Sequence, residues 1–197
     1  SPPLMIVPAS SRRALSVGNG VQFGDLRVGR GEAVKKGDEV VMHIRALLPD
    51  KNRPEDTLLF DTRAKNGPPI LHQLGSVDDS SVLGQRGKGV GGSAGRKPLV
   101  TIGLEDAIAA AGGNAMREGG VRKVLVPAAL AYGTAAMSRF DAQQSGFVNP
   151  VGLTGFDIRY EVELLRCSEV PLPPREGEEE PRTARACCSD VDYPCKR

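Results

Sequence analysis

Apolar and polar residues alternate most regularly in the last third of the chain. Phe156, Ile158, Tyr160, Val162 and Leu164 are separated by Asp157, Arg159, Glu161 and Glu163. This period of two predicts a strand over 155–167 with one buried and one wet face. Lys36-Gly37-Asp38 makes a turn into a run of apolar and β-branched residues, predicted as a central strand ending near residue 48. Further strands are predicted over 57–63, 70–75 and 121–127. Val21 and Phe23 alternate, and the phase resumes at Leu26 and Val28 across Gly24, which predicts an early strand with a bulge. One stretch has a different character. Residues 104–120 read as the single helix, with Glu105 and Asp106 near its start, where the dipole favours negative charge, and Gly112-Gly113 as its stop.

Five or six strands and one helix, the helix falling late between consecutive strands, predict an α+β fold: a twisted antiparallel sheet folded over a single helix. Around this unit, 1–19 is Pro/Ser/Arg-rich and reads as an extended arm, and 49–56 reads as a loop. The segment 76–98 is an inserted Gly/Ser-rich loop, 134–151 is a second loop, and 168–197 has the composition of a disordered tail. The spacing Gly87-x-Gly89-x-x-Gly92 is not a dinucleotide fingerprint, because no strand enters it and Pro98 closes it off.

The 197 residues suit one domain with appendages. Their 26 basic and 24 acidic residues leave a formal charge of +2, which gives no long-range field for nucleic acid. No run approaches the roughly 18 apolar residues of a membrane span. The chain begins at Ser1 without a Met and reads as a processed form or a fragment. Aromatic residues make up 4% and Trp is absent, so an aromatic pocket has few residues to draw on. Cys167, Cys187, Cys188 and Cys195 all fall near the end, without CxxC spacing and far from His43 and His72, which argues against a zinc site or a thiol-redox motif. A disulfide clip on the tail, implying an oxidising compartment, and free thiols remain as readings.

Residues 123–133, KVLVPAALAYG, end a strand at Pro127, pass through about one helical turn, and stop at Tyr132-Gly133. By itself Tyr132 reads either as a residue packed over the sheet edge or as one aimed at a ligand. Likewise Phe60-Asp61 reads plainly as a strand-end aromatic followed by a turn-capping carboxylate. Taken together, GVQFGDLRVGRG (20–31), VKKGDEVVMHI (34–44), FDTR (60–63), GGVRKVLVPAALAYG (119–133) and FDIRYEVELL (156–165) resemble, in order, the FKBP family of peptidyl-prolyl cis-trans isomerases. The resemblance spans about 20–167. It implies a half-open antiparallel β-sheet wrapped around one short helix. It also implies a site in which Phe60 walls the proline pocket, Asp61 sits beside it, and Tyr132 stands at the mouth, its hydroxyl donating to a peptide carbonyl. Ile44, Ile70, Val100, Leu104 and Tyr160 would line the wall and floor. The chain departs from the family pattern at Leu104, where Trp is usual, at Ile44, where Tyr is usual, and at Ile70, which replaces an aromatic.

Such chemistry asks for shape rather than reactive groups. The X-Pro amide resists rotation by about 18–20 kcal/mol through resonance. The twisted amide is less polar than the planar one, so a dry apolar pocket favours it. No metal and no cofactor are implied. The partners implied are proline-containing protein segments, with activity weakened by the replacements at Leu104 and Ile44. The alternative is a catalytically decayed FKBP-fold binding subunit whose arm, loops and tail dock to a larger complex. Relatives of this layout suggest a chloroplast, and the thylakoid lumen within it.

Overall fold

The structure, a computed structural model, describes residues 15–16, 18–49, 55–64, 67–77, 99–133, 155–173 and 182–189. Most of the arm, most of the 76–98 insertion and all of 134–151 lie outside the described residues.

The strands are β1 (Leu15–Ser16), β2 (Gln22–Arg27), β3 (Glu39–Leu48), β4 (Thr57–Asp61), β5 (Ile70–Gln73), β6 (Val121–Val126), β7 (Ile158–Leu164), β8 (Arg166–Leu172) and β9 (Arg182–Cys188). A single helix among the described residues, α1 (Ile102–Ile108), lies between β5 and β6. The main sheet runs β1-β2-β6-β7-β3-β4, with β5 also pairing β3, and its strand pairs are antiparallel. This is the expected α+β arrangement, with β1 added from the end of the predicted arm. The central strand, β3, is long because its first half pairs β5 and its second half pairs β4 along the same edge.

Register lines up one row of side chains across the sheet. Phe23 pairs Val124, Val124 pairs Tyr160, Tyr160 pairs Ala46, and Ala46 pairs Phe60. All five are buried. Directly paired residues share a face, so these positions form one apolar ridge, and α1 packs its Leu104, Ala107 and Ile108 into the same core. Helix and sheet approach closely at Gly103: an added Cβ would come within 2.4 Å of Val126 Cγ1.

The helix is shorter than predicted. It begins two residues earlier and ends well before Gly112-Gly113. Its last carbonyls are taken from outside: Arg122 donates to Ala107 O (2.5 Å), and Met116 N–H donates to Ile108 O (2.8 Å). These donors satisfy carbonyls that a helix end otherwise leaves without partners.

Three other expectations change. The bulge in β2 falls between Asp25 and Arg27 rather than at Gly24, leaving Leu26 unpaired, and both Leu26 and Val28 are exposed. Phe156 precedes β7 and is 46% exposed, so the buried alternation starts at Ile158. Glu163, predicted on the wet face, is only 1% exposed.

The cause of that last change is the tail. Residues predicted as disordered form the β8–β9 hairpin, with Cys167 opposite Cys187 in register and joined to it by a disulfide. Ser189, at the hairpin's end, donates to Glu163 Oε1 (2.9 Å), and Arg185 reaches Glu39 at the start of β3 (2.7 Å). Arg27 and Arg63 pair with the Glu163 carboxylate from the sheet side. The carboxylate is therefore sheltered but fully partnered, which a buried charge requires. Cys188 is disulfide-bonded as well, and no cysteine among the described residues is free. Alkylation of the denatured chain, analysed by mass spectrometry, is expected to leave Cys167, Cys187 and Cys188 unlabelled until a reductant is added. Labelling without reductant would contradict the bridged hairpin.

Candidate functional site

The Phe60-Asp61 pair sits at a distortion of β4. Leu58 pairs Leu47 and Phe60 pairs Ala46, which leaves Leu59 as an extra residue. Such a bulge re-aims the side chains that follow it, and here both Leu59 and Phe60 are buried. The strand end is then tied down. Thr62 N–H donates to Ile44 O (3.0 Å), while Ile44 N–H donates to Thr62 Oγ1 (2.9 Å), which also meets His43 Nδ1 (3.0 Å). Asp61 Oδ1 accepts Arg63 N–H (2.8 Å), so this half-buried carboxylate holds the turn as well as bordering Phe60.

Tyr132 is delivered by a short turn. Pro127 ends β6, and a 3₁₀ turn over Ala128–Leu130 is closed by Leu130 N–H to Pro127 O (2.9 Å) and Gly133 N–H to Ala128 O (2.8 Å). Asp157 anchors the turn by accepting Ala128 N–H (2.9 Å). Gly133 leaves it with φ +66°, a conformation that costs glycine little. The turn swings the Tyr132 ring inward. It is 3% exposed and belongs to the core cluster, its hydroxyl next to that of Tyr160.

Phe60, Val100, Leu104, Tyr132, Tyr160 and Ile44 are all buried members of that cluster, and Ile70 packs against it, half-buried. Six separate segments thus contribute to one apolar body. Its polar content is a small set of hydroxyls. Burial pushes the Tyr132 phenol well above its ordinary range, and the neighbouring Tyr160 reinforces this. Burial likewise pushes Tyr160 up to about 12, opposed by the adjacent Thr101 and Tyr132 hydroxyls. Both phenols stay neutral at physiological pH. The Tyr160, Thr101 and Tyr132 hydroxyls thus form one small buried polar group inside the apolar cluster.

The chemistry available is that of an enclosed apolar surface with a few hydroxyl donors. Among the described residues no three His, Cys, Asp or Glu side chains cluster as metal ligands would. A cleft of about 110 Å³ lies elsewhere, between β2 and the chain after α1, lined by Asp25, Arg27, Met116, Arg117 and Arg122. Its arginines are engaged: Arg27 with Gly119 O and Glu163, Arg117 with Gly31 O, and Arg122 with Asp25 and Ala107 O.

Four features are absent from the sequence reading. Thr101 is the helix N-cap, signalled by its place before an apolar helical run. Arg122 is buried, and the signal was its phase: it shares the inward period of Val124 and Val126. His72 Nε2 and Gly75 N–H both meet the buried Glu105 Oε1 (2.6 and 2.9 Å), tying α1 to the end of β5. Glu163 gave no local signal, since its cover comes from Ser189.

No protein-family model matches the chain, and none of the curated proteins does. Solved structures do. The crystal structure of AtFKBP13 is similar over 77% of this chain and 96% of its own, at 20% identity and a TM-score of 0.52. The N-terminal domain of FKBP42 from Arabidopsis thaliana is similar over 81% of this chain and 94% of its own, at 22% identity and a TM-score of 0.51. A multi-domain immunophilin from Arabidopsis thaliana is similar over 87% of this chain and 50% of its own, at 21% identity and a TM-score of 0.52. At such identities the likeness is one of fold. The antiparallel sheet, the single short helix packed into it and these neighbours together show that the chain has an FKBP-type fold.

Proposed function

We propose that the chain is a peptidyl-prolyl cis-trans isomerase acting on X-Pro bonds in protein segments. One observation carries the reading: Phe60, Leu104, Tyr132 and Tyr160, distant in sequence, are brought into one buried apolar cluster. A proline ring held among them leaves water, and its amide twists more easily there than in solvent. The Tyr132 hydroxyl donates to a carbonyl of the bound segment, and Asp61 borders the Phe60 wall. Leu104 and Ile44, small for their places, make a looser cavity and a slow enzyme. No cofactor enters. The disulfide-stapled hairpin suits an oxidising compartment such as the thylakoid lumen.

Exchange spectroscopy on a proline tetrapeptide tests this without a coupling protease. Micromolar protein is expected to raise cis-trans exchange above the buffer rate, and Tyr132→Phe to lower kcat/KM roughly five- to tenfold through one lost hydrogen bond. A rate equal to buffer would dismiss the isomerase and leave a binding module.

A further inference from the structure

Phe60 sits at an irregular point of its strand. The bulge at Leu59 interrupts the β3–β4 ladder just before it, and β4 ends one residue later at Asp61. A bulge leaves the ladder locally disrupted, so the Phe60 ring depends on the turn behind it, residues 61–63. Each of the three is held. Asp61 accepts the Arg63 N–H (2.8 Å) and meets Arg45 Nε at 4.0 Å. Thr62 Oγ1 accepts the Ile44 N–H (2.9 Å) and meets His43 Nδ1 (3.0 Å). These holds come from β3 or from the turn itself. The third comes from further away: the Arg63 guanidinium reaches Glu163 on β7, a strand that pairs β3 and not β4.

Glu163 is opposite in phase to Tyr160 and Val162, which enter the core cluster, so it lies on the face of β7 away from the pocket. Its hold on Arg63 depends on its cover. A carboxylate and a guanidinium paired in open water contribute little, and the Arg63 side chain is 28% exposed. Glu163, however, is sealed under Ser189, whose hydroxyl lies 2.9 and 3.1 Å from its two oxygens. Shielding from water strengthens such a pair. Ser189 is fixed in its turn. It follows Cys188, the last residue of β9, and the ladder of β9 with β8 is bridged by Cys167–Cys187. Ser189, Glu163, Arg63 and Asp61 thus make a continuous run of contacts from the tail hairpin to Phe60.

We propose that Glu163 and Ser189 are positioning residues of the pocket, and that the hairpin is an outer brace fixing the Phe60 wall through Arg63. The proposal rests on the isomerase reading of the same site. It extends that reading by making the tail part of the working unit, although no tail residue touches the bound proline.

The test follows amide hydrogen exchange and kcat/KM on one proline tetrapeptide, in the full, disulfide-bonded chain. In Ser189→Ala the Thr62 and Arg63 amides are expected to exchange about fivefold faster, the effect of one lost hydrogen bond. Amides of the β2–β6 ladder, across the sheet, keep their rates. The same variant lowers kcat/KM by a similar factor, through KM, because Phe60 walls the ring in ground and transition states alike. Ser189→Thr, which keeps the hydroxyl, restores both readouts. Adding Ser189→Ala to Arg63→Met changes neither further, since the run of contacts is already cut. Unchanged exchange at Thr62 and Arg63 in Ser189→Ala overturns the proposal, and so does acceleration spread equally over the β2–β6 ladder. If wild type and Ser189→Ala accelerate the peptide equally, this inference fails alone. If the wild type accelerates no peptide, the isomerase reading fails and this inference with it.

Discussion

Replacing Arg122 with Met is expected to cost about 3–5 kcal/mol of stability, more than any other single change considered for this chain. The guanidinium is 2% exposed and serves three partners at once. It forms a two-pronged pair with Asp25 (2.7 and 3.0 Å), donates to Ala107 O at the end of α1 (2.5 Å), and lies 4.2 Å over the Phe23 ring. Met would fill much of the volume. It would leave the helix carbonyl and the partly buried Asp25 carboxylate without their donor, and removing one partner of a buried pair costs more than the pair itself contributes. Since whole domains are stable by only about 5–15 kcal/mol, such a loss takes away a large share. Denaturant titration measures it directly. Removing Asp25 as well, with Asp25→Leu in the Arg122→Met background, is expected to recover part of the loss, because no charge is then stranded. A loss below about 1 kcal/mol for Arg122→Met would show that the guanidinium is not the joint between sheet and helix.

Alkaline pH is expected to destabilise the fold sharply between about pH 10 and 12, the window set by the raised Tyr160 phenol. In the unfolded chain a tyrosine loses its proton near pH 10. In the folded chain Tyr160 holds it until about 12, so between those values the folded state binds more protons than the unfolded one. Stability then falls as pH rises, by about 3 kcal/mol for a displacement of this size. The stabilisation is fully present below the unfolded value and is gone above the folded one. Tyr132 shifts in the same direction for the same reason, burial, and adds to the loss. Ultraviolet absorbance followed alongside circular dichroism reads both events. Two of the chain's three tyrosines are expected to ionise only as structure is lost. Tyr132→Phe with Tyr160→Phe should flatten this part of the pH profile relative to wild type. Parallel losses in the two proteins would assign the effect to other groups, and phenols ionising near pH 10 with the dichroism intact would deny their burial.

These effects divide by how far the sequence announces them. The inward face of β7 was legible because Ile158, Tyr160, Val162 and Leu164 alternate with polar residues, and a strand exposes that period whatever surrounds it. The central strand and the antiparallel sheet over one helix followed from the same kind of local pattern. The candidate site was legible only as residue types in order: Phe60, Asp61, Leu104, Tyr132 and Tyr160 carry a family likeness, but spacing along a chain does not say which of them touch.

Contacts between distant segments were not legible. The helix ends at Ile108, where its last carbonyls are served by Met116 and by Arg122, the latter 15 residues beyond Ala107. Glu163 sits on what is locally the polar face of β7, and becomes buried because a disulfide hairpin brings Ser189 over it. Composition read that hairpin as disorder, since a cross-link supplies order that low hydrophobicity cannot. Thr101 turns from its cap towards Tyr160, a choice that depends on what lies across the core. The chain's own pattern thus determined the strands, their buried faces and the class of fold, because these rest on interactions a few residues long. Tertiary structure alone decided where the helix ends, which charges are sheltered and which hydroxyls face one another, because burial and hydrogen bonding are properties of neighbours in space.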